Sequence, residues 1–136
     1  EALTQGHEIE DALLYLLEWM NGDPILAYHS AFDQKFLEKT LKAQLGYTQP
    51  HTWMDVADLM PAFFPNTKTG GKGLDNWADY FGLEVSERHH AASDALATAE
   101  LTLVALNKAR SEGVKTLKGL YDKLHYHRRL QNMHRF

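Results

Sequence analysis

The chain of 136 residues contains no cysteine. Disulfides and thiolate metal sites are therefore excluded, which leaves carboxylates and histidines as the side chains that could hold a metal ion. No apolar run approaches the roughly 20 residues that a membrane-spanning helix needs, and no signal-peptide pattern opens the sequence. We expect a cytoplasmic protein with no membrane partner.

Basic residues are absent from the first part of the chain, where no Lys or Arg precedes Lys35. The last stretch, residues 115–136, carries six Lys and Arg against the single acid Asp122, although the whole chain has a formal net charge of −4. Such a basic segment could contact the phosphates of a nucleic acid. The alternative is an amphipathic helix packed on the domain, because six charges make only a short track and can be a solvated face.

Strands are also few, because most of the chain has the periodicity of helices. Two short strands are predicted, one ending at His29 and one over residues 52–54, and a two-stranded sheet by itself is marginally stable in water. Gly46 is a typical C-terminal stop of a helix, Pro61 should shorten or kink the helix that contains it, and residues 65–73 form a loop by composition. The predicted helices cover residues 8–20, 31–45, 55–63, 74–81 and 91–110, and a basic helix follows Gly113.

Two stretches end in an acid at a point where a helix should begin. Residues 28–33, YHSAFD, follow a short apolar run that is typical of a buried strand. Residues 89–94, HHAASD, precede an Ala- and Leu-rich helix and place Asp94 in its first turns. Two carboxylates and a histidine from these stretches could converge on metal ions.

The two stretches resemble the second and third motifs of the DEDD 3′–5′ exonucleases, the family of the proofreading epsilon subunit of bacterial DNA polymerase III. Residues 72–83, KGLDNWADYFGL, resemble the approach to the third motif, so the resemblance covers roughly residues 24–106. The spacing from His89 to Asp94 is similar to the subclass that uses histidine rather than tyrosine. The resemblance implies an α/β, ribonuclease-H-like fold that here lacks its first strands and is mostly helical, with about two strands.

The resemblance also implies an activity and a role for each motif residue. Asp33 and Asp94 match the metal-binding acids of the two motifs, and His89 matches the general base. The implied reaction hydrolyses nucleic acid from the 3′ end to mononucleotides with two Mg²⁺ or Mn²⁺ ions. The implied partners are a single-stranded DNA or RNA 3′ end and, for some members, a DNA polymerase. Tyr28, His29 and Phe32 would lie near the terminal nucleotide.

Each of these residues also has a purely structural interpretation. Ser30 and Asp33 have the spacing of a capping box, in which Ser30 would be the N-cap of a helix. Asp94 could be a first-turn acid that interacts with the helix dipole, and both histidines before it could be ordinary loop residues. The HHAASD string also matches a His-His-x-x-x-Asp acyltransfer motif. The short chain and the exonuclease-like pattern at residues 74–83 argue against an acyltransferase.

The family's first motif, an Asp-x-Glu pair on a strand, is missing. Glu8 and Glu10 have the right spacing, but they precede a long apolar run and are predicted to form the acid-rich first turn of a helix. We therefore expect a chain that lacks upstream strands, is inactive by itself and self-associates through an uncovered apolar face. The predicted domains are residues 1–112 for the exonuclease part and 113–136 for a basic helix packed on it. The alternative function is a truncated, inactive exonuclease domain that binds nucleic acid or protein.

Overall fold

The computed structural model describes residues 2–85, 87 and 90–133, with the backbone alone described for residues 2–7. The described part of the chain contains six helices and two strands. In chain order these are α1 (Ala2–Met20), β1 (Ile25–Ala27), α2 (Ser30–Leu45), β2 (Trp53–Asp55), α3 (Val56–Phe63), α4 (Leu74–Tyr80), α5 (Ala91–Ser111) and α6 (Leu117–Met133).

The first of two compact units comprises Glu1–Met54. The turn after α1 uses left-handed residues, Asn21 at φ 44° and Gly22 at φ 75°, and leads directly into β1. β1 and β2 form a two-stranded parallel sheet, next to which the Ile25 N–H donates to the Thr52 carbonyl at 2.8 Å. Helix α2 packs on α1 and β1, and Gly46 ends α2 in the left-handed conformation that favours glycine.

The second unit, Asp55–Phe136, is helical and is organised around α5. Helices α3 and α4 both pack on α5, and α6 packs on α3. The carboxylate of Asp55 accepts a hydrogen bond from the Ala57 N–H and so caps α3. Helix α3 continues to Phe63 past Pro61, which lacks the N–H that would bond to the preceding turn. The side chains buried on α5 are Ala97, Thr98, Leu101, Thr102, Ala105 and Ala109.

The predicted fold class, mostly helical with two strands, is confirmed. Two local predictions are wrong. Helix α1 begins at Ala2, so Glu8 and Glu10 lie in its interior and not in an acid-rich first turn. The N-cap of α2 is His29 and not Ser30, which is the first helical residue and is buried. The predicted division of the chain at residue 112 is not tested by these contacts and stays a prediction.

Large apolar side chains are exposed on the first unit. Helix α1 buries Leu13 but exposes Trp19 at 79% of its surface, and β1 exposes Leu26. The exposed large apolar residues of this unit are Ile9, Leu14, Tyr15, Trp19, Leu26, Phe32 and Phe36.

None of the helices among the described residues is both long enough and apolar enough to cross a bilayer.

Candidate functional site

Asp33 lies in the first turn of α2, as its fourth residue, and its side chain is exposed. The chain reaches this helix through His29, whose φ of 57° and ψ of 58° are left-handed, a conformation that is uncommon for residues other than glycine. No side-chain hydrogen bond caps α2. The capping-box interpretation of Ser30 and Asp33 therefore does not hold, and Asp33 is a first-turn carboxylate near the positive end of the helix.

Asp94 occupies the same position in α5, where it is the fourth residue after the N-cap His90. Its N–H donates to the His90 carbonyl at 2.9 Å, and its own carbonyl accepts from the Thr98 hydroxyl at 2.8 Å. The side chain is half-buried, and its Oδ1 atom is inaccessible to solvent. Burial of one oxygen and placement in the first turn orient this carboxylate more strictly than that of Asp33.

Asp33 and Asp94 therefore occupy the same position relative to the starts of their helices, although their side chains differ in burial. In both helices a histidine is the N-cap and the aspartate follows four residues later. The unsatisfied N–H groups of a first helical turn carry partial positive charge and stabilise a nearby carboxylate. This electrostatic effect accounts for the position of an acid without any ligand, and it also holds each carboxylate at a defined place from which it could bind a cation.

The predicted general base, His89, lies outside the described residues. Its neighbour His90 is exposed and caps α5 with a backbone at φ −87° and ψ 126°. The predicted substrate-binding residues beside Asp33 are described. The rings of Tyr28 and His29 meet edge to face with centroids 4.8 Å apart, and Phe32 exposes 77% of its surface.

Phe32 forms a second aromatic feature with the next turn of α2. Its ring stacks on that of Phe36 at a centroid distance of 6.5 Å and an angle of 13°, and Phe36 is also 63% exposed. Two nearly parallel exposed rings are a surface on which a planar base could stack. The exposure of both rings is a finding of the structure.

The carboxylates of this chain do not fit two divalent ions by themselves. Mg²⁺ requires near-octahedral coordination by oxygen, and a two-ion site needs several carboxylates. Asp33 belongs to the first unit and Asp94 to the second. Among the residues that the structure describes, no three His, Asp or Glu side chains are grouped as a metal site would need. The Asp-x-Glu pair that would add two carboxylates has no counterpart in the sequence.

A row of three exposed lysines on α2 was missed by the sequence analysis. Lys35, Lys39 and Lys42 recur at intervals of four and three residues, and they line a shallow groove together with Ala31, Gln34 and Glu38. The spacing of one cation per helical turn was visible in the sequence. In the basic C-terminal segment, by contrast, Arg128 pairs with Asp58 and Lys118 with Asp122.

Comparison with known families gives a match over residues 1–102 to the family RNase_T, described as Exonuclease. The chain belongs to this exonuclease family. The match covers both acid-containing helix starts and all the elements between them. It therefore confirms the resemblance to DEDD exonucleases.

Curated relatives of this chain include DNA polymerase III PolC-type proteins and a 3′–5′ exonuclease. A DNA polymerase III PolC-type from Caldanaerobacter subterraneus is 31% identical over 85% of the chain, which corresponds to 8% of that protein. A 3′–5′ exonuclease DinG from Staphylococcus saprophyticus is 32% identical over 85% of the chain and 12% of its own length. The chain thus spans about a tenth of the relatives it matches. No solved structure matches it.

Proposed function

We propose that the protein to which this chain belongs is a 3′–5′ exonuclease that removes nucleotides from the 3′ end of single-stranded DNA or RNA. The observation that carries the proposal is the pair of aspartates, each four residues after a histidine N-cap, within a chain of the exonuclease family. Similarity to the 3′–5′ exonuclease DinG supports the direction of cleavage, and similarity to the PolC-type polymerases supports a DNA polymerase as partner. A cytoplasmic location is part of the same proposal.

Asp33 and Asp94 are proposed to contribute one carboxylate each to a site for two Mg²⁺ or Mn²⁺ ions. Such ions, when bound, stabilise the charge that develops on the attacking and leaving oxygens of a phosphodiester. The further carboxylates of the site would have to come from residues other than these two acids. Asp94 is the better oriented of the pair, because one of its oxygens is already buried.

His89 is proposed to act as the general base that takes the proton from the attacking water. A histidine suits this role because its ordinary pKa lies close to neutral pH, and a positioned base typically contributes about 10²–10⁴-fold to the rate. Tyr28, His29 and Phe32 are proposed to contact the terminal nucleotide. The exposed, stacked position of Phe32 supports this role, since a base can add to an aromatic stack.

A second candidate function is a non-catalytic exonuclease domain that binds nucleic acid or another protein. The absence of an Asp-x-Glu pair favours it, as does the absence of any cluster of three metal-binding side chains among the described residues. In this case Asp33 and Asp94 would be first-turn acids whose role is to stabilise the starts of α2 and α5.

The experiment that separates the two candidates uses the whole protein and a single strand labelled at its 5′ end. With Mg²⁺ or Mn²⁺ present, the exonuclease should shorten the labelled strand one nucleotide at a time, and EDTA should stop the reaction. Asp33→Asn and Asp94→Asn should abolish shortening, whereas Asp23→Asn, an exposed turn residue, is the matched control. Binding without shortening would support the non-catalytic function, and full activity in EDTA would contradict the metal-dependent mechanism.

A further inference from the structure

Helix α2 carries a row of cations on a face that the proposed catalytic roles do not use. Lys35, Lys39 and Lys42 are all exposed. At 100° per residue they fall within an arc of about 60°, and their Cα atoms are separated along the helix by about 6 Å and about 4.5 Å. The lysine row is thus a continuous strip of positive charge over two helical turns.

None of the three ammonium groups in the lysine row is ion-paired with any of the described residues. The one acid within the groove, Glu38, instead accepts a hydrogen bond from Gln34 at 3.1 Å. The basic helix α6 is different, because two of its cations are already paired with Asp58 and Asp122. Unpaired cations in a row gain more from an anionic ligand, since no existing ion pair must be broken.

The lysine row lies beside the exposed aromatic pair on the same helix. Around the helix axis, Phe32 and Phe36 follow the lysines directly, and Asp33 follows Phe36 by about 60°. One helix therefore presents cations for phosphates beside rings for bases, and the carboxylate proposed for catalysis lies about 120° around the axis from the nearest lysine. Proteins that bind single strands without reading sequence combine a positively charged track with aromatic stacking surfaces in this way.

We propose that Lys35, Lys39 and Lys42 bind the phosphates of a single-stranded nucleic acid beside the exposed Phe32–Phe36 pair. The choice of nucleic acid over another polyanion rests on the proposed nuclease function, whereas the existence of an anion-binding strip rests on the lysines alone. The contacts are to the backbone, so the strip binds strands of different sequence with similar affinity.

Equilibrium binding of a 5′-fluorescent oligothymidine to this chain in EDTA tests the proposal, because no hydrolysis can occur. The test variant is Lys35→Gln/Lys39→Gln/Lys42→Gln. Its matched control is Lys68→Gln/Lys108→Gln/Arg110→Gln, which removes the same charge from exposed or half-buried positions outside both α2 and the basic C-terminal segment. Glutamine and lysine have similar helix propensities, so α2 should keep its stability, which circular dichroism checks.

For single strands each neutralised phosphate contributes about −0.7 to the slope of log affinity against log salt concentration. Three lost contacts should therefore reduce the magnitude of the slope by about 2 and, near 0.1 M salt, lower the affinity by about 10²-fold. The control should change both quantities much less. Equal losses in the two variants, or an unchanged salt slope in the test variant, would overturn the proposal.

Two further outcomes separate this proposal from the proposed function. If the whole protein degrades single strands but the lysine substitutions leave binding and KM unchanged, the lysine row is not a nucleic-acid site and the exonuclease function stands. If the chain binds oligothymidine through the lysine row while the whole protein cleaves nothing, the site stands and the catalytic proposal fails. Preference for an acidic peptide over oligothymidine at equal charge would assign the strip to a protein partner and contradict the proposal.

Discussion

Gly71→Ala should destabilise the protein through a single side chain, that of Asn76. A Cβ atom at position 71 would lie 2.8 Å from Asn76 Oδ1 and 3.0 Å from its Cγ, which is too close for the amide to remain in place. That amide holds the loop before α4, because Asn76 Oδ1 accepts from the Gly73 N–H at 3.1 Å and Asn76 Nδ2 donates to the Thr69 carbonyl at 3.4 Å. Displacing it loses both hydrogen bonds.

The expected cost follows from those two bonds. A partly exposed hydrogen bond contributes about 0.5–1.5 kcal/mol, so the loss of two should lower the free energy of unfolding of Gly71→Ala by about 1–3 kcal/mol. When Asn76 is already alanine the clash is gone. Gly71→Ala should then be neutral or stabilising by about 0.4–1 kcal/mol, because alanine restricts the unfolded chain more than glycine does. The sign of the effect should change between the two backgrounds.

Urea denaturation of the four proteins of this double-mutant cycle, followed by circular dichroism, measures the coupling. Gly70→Ala is the control, since Gly70 has a φ of +82° and the nearest Asn76 atom would be 4.0 Å from a new Cβ. Its cost comes from the left-handed backbone and should be the same in both backgrounds. Additive effects of Gly71→Ala and Asn76→Ala would refute the idea that one amide holds this loop.

Three other predictions concern pH, catalysis and assembly. Burial lowers the pKa of His127 despite the opposing charge of Asp58, so the folded protein favours the neutral ring. The stability that this neutral ring contributes should be complete above the ordinary pKa of 6.5. It should be lost as pH falls below that value, because the unfolded chain then binds the proton more readily. Urea midpoints from pH 7.5 to 5 should show a smaller loss for His127→Gln than for the exposed control His125→Gln. In the whole protein, His89→Ala should lower the turnover rate by about 10²–10⁴-fold, whereas His90→Ala should lower it much less. A single-turnover assay measures both rates. Equal losses in the two variants would mean that His89 is wrongly aligned with the histidine of the third motif. The 136-residue chain alone should self-associate in sedimentation, because large apolar side chains are exposed. It should show no metal-dependent nuclease activity, because among the described residues no three metal-binding side chains are grouped. An active monomer would contradict both expectations.

Local sequence was sufficient to place most of the elements. Periodicity and capping residues predicted five of the helices to within two residues at most ends, as well as the glycine stop at Gly46. The position of Asp33 and Asp94 in first helical turns was also predicted, because a strand or loop followed by an amphipathic run defines where a helix starts.

The start of α1 and the cap of α2 were predicted wrongly, because each depends on interactions that the local pattern does not contain. Helix α1 continues to Ala2 through Gly6, a residue that lowers helix propensity. The N-cap of α2 is a left-handed histidine, although the capping-box spacing favoured Ser30. At this site Ser30 is buried as the first residue of α2, a helix that packs on β1, so Ser30 does not stand outside the helix as its cap.

The amino-acid sequence by itself determined the helical character, the shortage of strands, the absence of thiolate chemistry and the two aspartates at helix starts. These properties depend on residues within one or two helical turns of each other. Tertiary structure alone decided that Phe32 is exposed, that Arg128 pairs with Asp58 70 residues away, and that the lysines of α2 have no ion-pair partner among the described residues. Burial and charge pairing depend on which distant segments meet, and the free energy of those contacts is not encoded in any local pattern.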